Sequence, residues 1–288
     1  MISFLPSDHF TLKGKQTPVP LDNLCRYFLR LFKKKEGMLT YNGRSAITAL
    51  LQSLGLNRND EVWIVTTFDL PNVSSHVTCT IFNICKPSRV LTNKTKAIFV
   101  IHEFGVIHPE VKGLRKVATE RKIPLIEDCA HTIDSKRDGV SAGRIGDYVI
   151  VSFPKIYPVT LGGMLLGARV PYSLSAMELA KLQSISSVIL NQTNQWNTHA
   201  SRRRDIFKQL SAAATNFGLK PLYEINRDIT PWFFPVGTSK VEELVELAAL
   251  QKIDCRPWYG SDIVVLPCHQ FLKDEDIRKM IRLMRMVN

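Results

Sequence analysis

Short apolar runs alternate with amphipathic segments through the middle of the chain. Five runs have the length and composition of strands, at 62–65, 97–101, 123–126, 148–153 and 163–167. Segments 72–82 and 109–121 lie between them and show helical periodicity, with Pro109 in the first turn of the second. Strands that alternate with helices predict a mainly parallel α/β sheet flanked by helices.

The regions on either side of this core have a different pattern. Amphipathic segments at 21–35 and 44–54 precede it, and a largely helical region at 173–217 follows it. An aromatic run, two helical patterns and a strand near Cys255 then predict a small α+β domain. The boundary falls between about 170 and 220. We place it after residue 180, which gives a large domain of 1–180 and a small one of 181–288.

The composition is that of a soluble globular protein, with 45% apolar and 22% charged residues in 288. No run approaches the roughly 20 apolar residues that span a bilayer. The N-terminus lacks a secretory pattern, so a cytoplasmic protein is expected. Six scattered cysteines form no CxxC pair, which argues against a zinc site or a disulfide framework and favours a reducing compartment.

The net charge of +12 indicates anionic partners such as phosphates, nucleotide sugars or nucleic acid. The basic runs at 33–35 and 202–204 are short and lie in helical patterns, so they are predicted to be solvated helix faces. No nucleic-acid-binding motif accompanies the charge, which argues against direct nucleic-acid binding.

Two polar residues end neighbouring apolar runs. Asp128 follows the run at 123–126, and Lys155 follows the run at 148–153 and precedes a glycine pair at 162–163. Ligands of parallel α/β sheets collect at the carboxyl ends of the strands. A helix cap or loop anchor is the alternative interpretation of Asp128, and a solvent-facing side chain that of Lys155.

This pair has the chemistry that pyridoxal phosphate (PLP) requires. A lysine amine binds the aldehyde as a Schiff base, and a carboxylate keeps the pyridine nitrogen protonated. The ion pair with the pyridinium should lower the pKa of Asp128.

Donors for a phosphate are found at the start of a predicted helix. Gly43 permits close approach of the backbone, the helix N-terminus presents N–H groups, and the Ser45 hydroxyl is a further donor. Ser152 is a second candidate hydroxyl donor. The alternative is an ordinary helix start capped by Ser45.

Six short segments occur in the order of a known family. They are NGRSAI (42–47), IHEFG (101–105), EDCAH (127–131), GRIGD (143–147), SFPK (152–155) and GG (162–163). The set resembles the DegT/StrS-type nucleotide-sugar aminotransferases, whose architecture is that of aspartate aminotransferase (PLP fold type I). Segments 230–236, 266–269 and 273–277 resemble the C-terminal domain of that family.

The resemblance implies roles for individual residues. Lys155 would be the Schiff-base lysine and the proton shuttle, and Asp128 would pair with the pyridinium. His131 would lie near the cofactor ring and its phenolic oxygen, with a buried, hydrogen-bonded histidine as the alternative. The phosphate would be bound by residues of the helix start and the strand end, namely Gly43, Arg44, Ser45 and Ser152.

Two further residues have open roles. Phe68 is a candidate to stack on the PLP ring, or is a plain core aromatic. His102 either lines the same side of the sheet as the other site residues or is a buried histidine without a functional role.

The implied function is transfer of an amino group, from glutamate as the expected donor, to a keto sugar carried by a nucleotide. A homodimer is expected by analogy. The chain departs from the family in lacking a glycine-tyrosine-asparagine segment after Gly163, through which relatives reach a neighbour's phosphate. Three alternatives stay open: a PLP sugar dehydratase, disfavoured because those relatives replace the lysine by histidine; a catalytically degenerate binding or regulatory module; and a nucleic-acid binder.

Overall fold

The computed structural model describes residues 1–11 and 17–287, and a seven-stranded sheet forms its centre. Its strands are β1 (Gly37–Thr40), β2 (Glu61–Thr66), β3 (Lys86–Ser88), β4 (Thr95–Ile101), β5 (Leu125–Asp128), β8 (Tyr148–Ser152) and β9 (Gly163–Leu166). A separate hairpin consists of β6 (Lys136–Arg137) and β7 (Val140–Ser141). The order across the sheet is β1-β9-β8-β5-β4-β2-β3.

The predicted mainly parallel sheet is confirmed. Strands β3, β2, β4, β5 and β8 are parallel to one another, whereas β9 runs antiparallel to both β8 and β1. Strand β5 is buried along its whole length, and β4 is buried except at Lys96. Continuous apolar runs are typical of parallel strands that are covered on both faces.

Helices cover the large sheet. They are α1 (Leu21–Phe32), α2 (Gly43–Ser53), α3 (Ser75–Phe82), α4 (Val111–Arg121) and α5 (Ala176–Asn194). Within the described ranges, none of the helices combines the length and the apolar character that crossing a bilayer requires.

The C-terminal region forms the predicted small α+β unit. Its elements are α6 (Trp196–Asn216), β10 (Lys220–Pro221), β11 (Phe233–Gly237), α7 (Val241–Leu250), β12 (Arg256–Trp258), β13 (Ile263–Pro267) and α8 (Asp274–Met286). The antiparallel sheet has the order β10-β11-β13-β12. Strand β13 was not predicted from the pattern, although it is entirely buried in the centre of this sheet.

The two apolar cores separate within α6. Val188 and Ala200 belong to the core of the large sheet, whereas Ile206 and Leu210 belong to the core of the small one. Helix α5 therefore packs with the large sheet. The boundary after residue 180 stays a prediction.

The prediction of solvated faces was wrong for one residue of the arginine run. Arg203 is only 1% exposed, whereas Arg202 and Arg204 are both partly exposed. Successive residues of a helix point about 100° apart, so three in a row cannot share one face.

Candidate active site

A cavity of about 340 Å³ opens where β5 and β8 end and α2 begins. Five of the predicted site residues border it: Gly43, Arg44, Asp128, Ser152 and Lys155. The volume lies within the range of about 300–1,000 Å³ that is usual for small-molecule sites.

Neighbouring carboxylates at the end of β5 have different environments. Asp128 borders the cavity, whereas the Glu127 carboxylate accepts hydrogen bonds from the N–H groups of Gly143, Ile145 and Gly146. Successive side chains of a strand point to opposite faces, so the two cannot share a surface. Glu127 thus anchors the GRIGD segment and leaves Asp128 for the ligand side.

His102 belongs to the Glu127 side of the strand. Its Nδ1 accepts from the N–H of His108, so Nε2 carries the proton and donates to Glu127 at 2.8 Å. Burial alone would raise the pKa of Glu127, but the bonds from His102 and the backbone amides hold it below its usual value. The thiol of Cys129 lies within 4.8 Å of this pair. Both carboxylate oxygens are already hydrogen-bonded, so we interpret the cluster as structural.

Asp128 is buried, with 4% exposure, and its Oδ1 accepts the N–H of Ala130 at 2.9 Å. Burial raises the pKa of this carboxyl, and Lys155 opposes the rise. The predicted lowering of the pKa requires a pyridinium next to the carboxylate. A cationic group bound beside this buried carboxylate would favour its charged form and so would be bound favourably.

Lys155 ends a 3₁₀ turn that follows β8 directly, Phe153–Lys155. Its Nζ lies 3.2 Å from Nε2 of His131, and His131 Nδ1 accepts the N–H of Phe104. In the neutral histidine the proton is then on Nε2, which can donate to the Lys155 Nζ when that amine carries no charge. Burial lowers the pKa of Lys155, with Asp128 opposing, and lowers that of His131 well below its usual value. Both the geometry and the lowered pKa of Lys155 favour the neutral form of the amine, which is the nucleophilic form.

Asn42 rather than Ser45 caps helix α2. The Asn42 Oδ1 accepts the Ser45 N–H at 2.9 Å and the Ser45 hydroxyl at 3.2 Å. The alternative interpretation of Ser45 as the cap was wrong. Ser45 borders a groove of about 570 Å³ between α2 and α3, which shares Arg44 with the cavity.

Glycines bring the start of α2 against the strand ends. A Cβ on Gly43 would lie 3.3 Å from the Cβ of Ser152, and a Cβ on Gly163 would lie 2.9 Å from the backbone N of Gly43. Only glycine at 163 permits this approach without a shift of the backbone. This packing places the Ser152 hydroxyl beside the helix N-terminus.

Two residues that the sequence analysis missed complete the surroundings of Lys155. Trp232, which directly precedes β11, stacks on His131 with ring centres 3.7 Å apart and lies 5.1 Å from Lys155 Nζ. His76, at the start of α3, borders the cavity and the groove. The aromatic run at 232–236 was a signal for Trp232, but His76 had no signal in the sequence.

Phe68 lies in an aromatic cluster next to these residues. Its ring stacks on Tyr223 at 5.7 Å and lies 5.9 Å from Phe104. Trp232 and Phe233 belong to the same cluster. Phe68 is therefore half-buried in the cluster between the two cores and is not among the residues that border the cavity. Its stacking on the PLP ring stays a prediction.

The IHEFG segment forms the turn that joins the cavity to this cluster. Phe104 has a left-handed backbone (φ 54°), and its carbonyl accepts the Trp232 N–H at 3.1 Å and the Tyr223 hydroxyl at 3.0 Å. A Cβ on Gly105 would collide with the carbonyl oxygen of Thr230. The turn thus sets the positions of His131 and Trp232 together.

Comparison with known proteins shows which family combines these features. The profile of the DegT/DnrJ/EryC1/StrS aminotransferase family matches residues 3–169, which is more than half of the chain. The chain belongs to this family. The match includes all five residues that border the cavity and were predicted from the sequence.

Members of the DegT/DnrJ/EryC1/StrS family with known names are distant relatives. GDP-perosamine synthase of Vibrio cholerae is 27% identical over 46% of this chain, and dTDP-3-amino-3,4,6-trideoxy-alpha-D-glucose transaminase of Micromonospora megalomicea subsp. nigra is 30% identical over 42%. The matched segments amount to only 40% and 35% of those two proteins.

The fold extends beyond the matched segments. Spr1654 from Streptococcus pneumoniae in its apo-form has a TM-score of 0.77 at 16% identity, covering 96% of this chain and 92% of that one. Its PLP-form has a TM-score of 0.75 at 17% identity, with coverage of 98% and 94%. At this identity the likeness shows the fold alone, and it confirms the predicted aminotransferase-like α/β architecture.

Proposed function

We propose that this chain is a PLP-dependent aminotransferase that moves an amino group from glutamate to a keto sugar attached to a nucleotide. One observation carries the proposal: a partly buried lysine, a buried carboxylate and a helix N-terminus with a serine hydroxyl border one cavity. Few ligands besides PLP need an amine, a partner for a cationic ring and an anion site in one place.

The residues fit the cofactor at both ends. The first N–H groups of a helix have no intrahelical acceptors, so the start of α2 can bind a phosphate together with Ser152 and the Arg44 guanidinium. Asp128 offers a carboxylate for the ring nitrogen, and the adjacent Ala130 is small enough to leave room for a flat ring. The Ser45 hydroxyl already donates to Asn42, so its share in phosphate binding requires a change of partner.

When bound, PLP supplies an aldehyde for covalent attachment of amines and a ring that accepts electrons. Lys155 would bind the aldehyde through its neutral Nζ and later carry a proton to and from the substrate carbon. Asp128 would hold the proton on the ring nitrogen. His131 would hold Lys155 in place through Nε2 and would contact the ring oxygen of the cofactor.

The substrate class rests on the relatives and on charge. Two named relatives carry nucleotide-linked sugars in their names. Arg44 lies at the junction of the cavity and the groove between α2 and α3, and no carboxylate is among the groove's lining residues in the described chain. An anionic nucleotide moiety is compatible with this lining. We further propose a homodimer, as the family resemblance implies.

The test is an absorbance spectrum of the purified protein with PLP, before and after glutamate, beside Lys155→Ala. We expect a visible band that shifts when glutamate is added and that the variant lacks. Turnover of the variant should fall on the order of 10⁴-fold or more. A protein that stays colourless with added PLP would contradict the proposal and favour a catalytically degenerate binding module.

A further inference from the structure

Arg203 is a buried cation at the junction of the two cores. Its side chain is 1% exposed, and no carboxylate lies within ion-pair distance of it in the described part of the chain. Burial of an unpaired guanidinium is costly unless its donors are satisfied. The residues that satisfy these donors therefore indicate what the arginine is for.

The donors reach three separate segments. Nη2 donates to the carbonyl of Ile156 at 3.1 Å, and Nη1 donates to the carbonyl of Pro231 at 3.3 Å. Nε donates to Oε1 of Gln270 at 2.7 Å, and Nε2 of that glutamine donates to the Ile156 carbonyl at 3.4 Å. The guanidinium carbon lies 5.5 Å from the centre of the Trp196 ring.

Two of these segments carry the groups around the reactive amine. Ile156 directly follows Lys155, and Pro231 directly precedes Trp232. The guanidinium is planar and rigid, so it sets the separation of the two carbonyls that it binds. That separation in turn determines where the Trp232 ring lies relative to Lys155.

We propose that Arg203, supported by Gln270, is a positioning residue that sets the Lys155 amine against Trp232 and His131 for its reaction with the cofactor aldehyde. The inference deepens the proposed function and rests on it. Arg203 does not itself border the cavity and acts through the backbone on either side of the reactive group.

Lysine cannot replace this arrangement. An ammonium is a point charge on a flexible stem and has no fork to bridge two fixed carbonyls. Arg203→Lys keeps the charge but loses the geometry, and Arg203→Met loses both. Arg202 is a matched control on the same helix, because its partners are the carbonyl of Leu272 and the exposed carboxylate of Asp274.

The experiment measures the rate at which the full-length apoprotein takes up PLP covalently. The readouts are the visible band and, after borohydride reduction, the mass of the Lys155 peptide. The reaction with glutamate is followed as a single turnover, in which the amino group passes to the cofactor, 2-oxoglutarate is released and the visible band is lost. In these experiments kcat and KM are the limiting rate constant of that turnover and its half-saturating glutamate concentration. The free energy of unfolding is measured on the same samples. The variants are Arg203→Lys, Arg203→Met, Gln270→Met and the control Arg202→Met.

We expect both Arg203 variants to slow PLP uptake and lower kcat by about 100-fold, as a misplacement of about 1 Å can, with KM for glutamate little changed. Gln270→Met should slow uptake by about tenfold through loss of one buried hydrogen-bond partner. Arg202→Met should match the wild type. If Arg203→Met does not fold, Arg203→Lys and Gln270→Met decide the question.

Variants that take up PLP at the wild-type rate with unchanged kcat, and that only unfold more easily, would overturn the positioning role. A wild-type protein that takes up no PLP, like Lys155→Ala, would instead overturn the proposed function and the inference with it. The two failures are distinguished by the wild-type sample.

Discussion

Two different regions surround the reactive lysine. Asp128, Ser152 and Lys155 lie at the ends of two adjacent strands of the large sheet. Trp232 comes from the segment just before β11 of the small sheet and contacts the same lysine. On the strand-end side, polar side chains follow buried apolar runs directly in the sequence. On the other side, aromatic residues from distant segments meet around the turn at Phe104. The first arrangement survives as long as the large sheet does, whereas the second exists only when both cores are docked.

The substitution with the largest expected effect breaks the second arrangement. Trp232→Ala removes a ring that is 7% exposed and stacked on His131, which should lower the free energy of unfolding by about 3–5 kcal/mol. Urea unfolding monitored by circular dichroism measures it. Trp232→Phe is the control, because the indole N–H has no hydrogen-bond partner in the structure and only ring size is lost. Equal losses in the two variants would contradict a packing role.

Asp128→Asn tests the strand-end side. The neutral amide keeps the shape and the bond from Ala130 but removes the charge that would face a ring cation. We expect kcat to fall by about 10²–10³-fold, the usual loss when a preorganised electrostatic contact is removed. The free energy of unfolding at neutral pH should stay the same or rise, because the substitution removes a buried charge. A variant with wild-type turnover would refute this assignment.

The pH dependence of stability tests the turn between the two regions. Burial raises the pKa of Glu103, whose carboxylate accepts the Phe68 N–H, to about 7 from 4.5. The folded protein thus binds this proton more tightly than the unfolded chain. Its contribution to stability is fully present below about pH 4.5 and is lost as the pH rises through about 7, by about 3 kcal/mol at most.

Glu103→Gln should therefore remove most of the decrease in the free energy of unfolding that the wild type shows as the pH rises. The measurement is the free energy of unfolding of both proteins at pH 5 and pH 8. The difference between them isolates Glu103 from the buried histidines, which titrate in both. Parallel pH profiles would show that Glu103 is ionised normally in the fold.

The smallest expected effect concerns the helix start. A Cβ on Gly43 would lie 3.3 Å from the Cβ and 3.6 Å from the hydroxyl of Ser152, so Gly43→Ala should separate the helix slightly from the strand end. We expect PLP to bind about tenfold more weakly, through one weakened hydrogen bond, while pyridoxal without phosphate binds as before. Competition titrations with the two ligands measure this. Equal weakening of both would place the effect outside the phosphate end.

Much of the site on the strand-end side was predictable because its polar residues directly follow apolar runs in the sequence. Residues at the carboxyl ends of adjacent parallel strands meet at one edge, and this brings Asp128, Ser152 and Lys155 together. Gly43 was predicted because a helix N-terminus attracts anions wherever it lies, and Arg44 was implied by the family resemblance. His131 lies 3.2 Å from Lys155 Nζ, and its contact with the cofactor ring, which the resemblance implied, stays a prediction.

Arg203 and β13 show where sequence reasoning failed, and the contacts of Phe68 show what it could not foresee. Phe68 packs at the domain junction because Tyr223 and Phe104 are there, and neither contact has a local signature. Arg203 lies in a basic run that resembles a solvated surface, yet its acceptors are carbonyls of distant segments. Hydrophobic periodicity and the order of motifs do not predict contacts between segments that are distant in the sequence.

The sequence by itself determined the alternation of strands and helices, the family, and the set of strand-end residues, because these follow from local periodicity and from residues close together in the chain. The tertiary structure alone decided which groups surround Lys155. The contacts of Trp232 and Arg203 and the lowered pKa of the Lys155 amine depend on two separate cores meeting, since burial and long-range hydrogen bonds arise only when distant segments exclude water together.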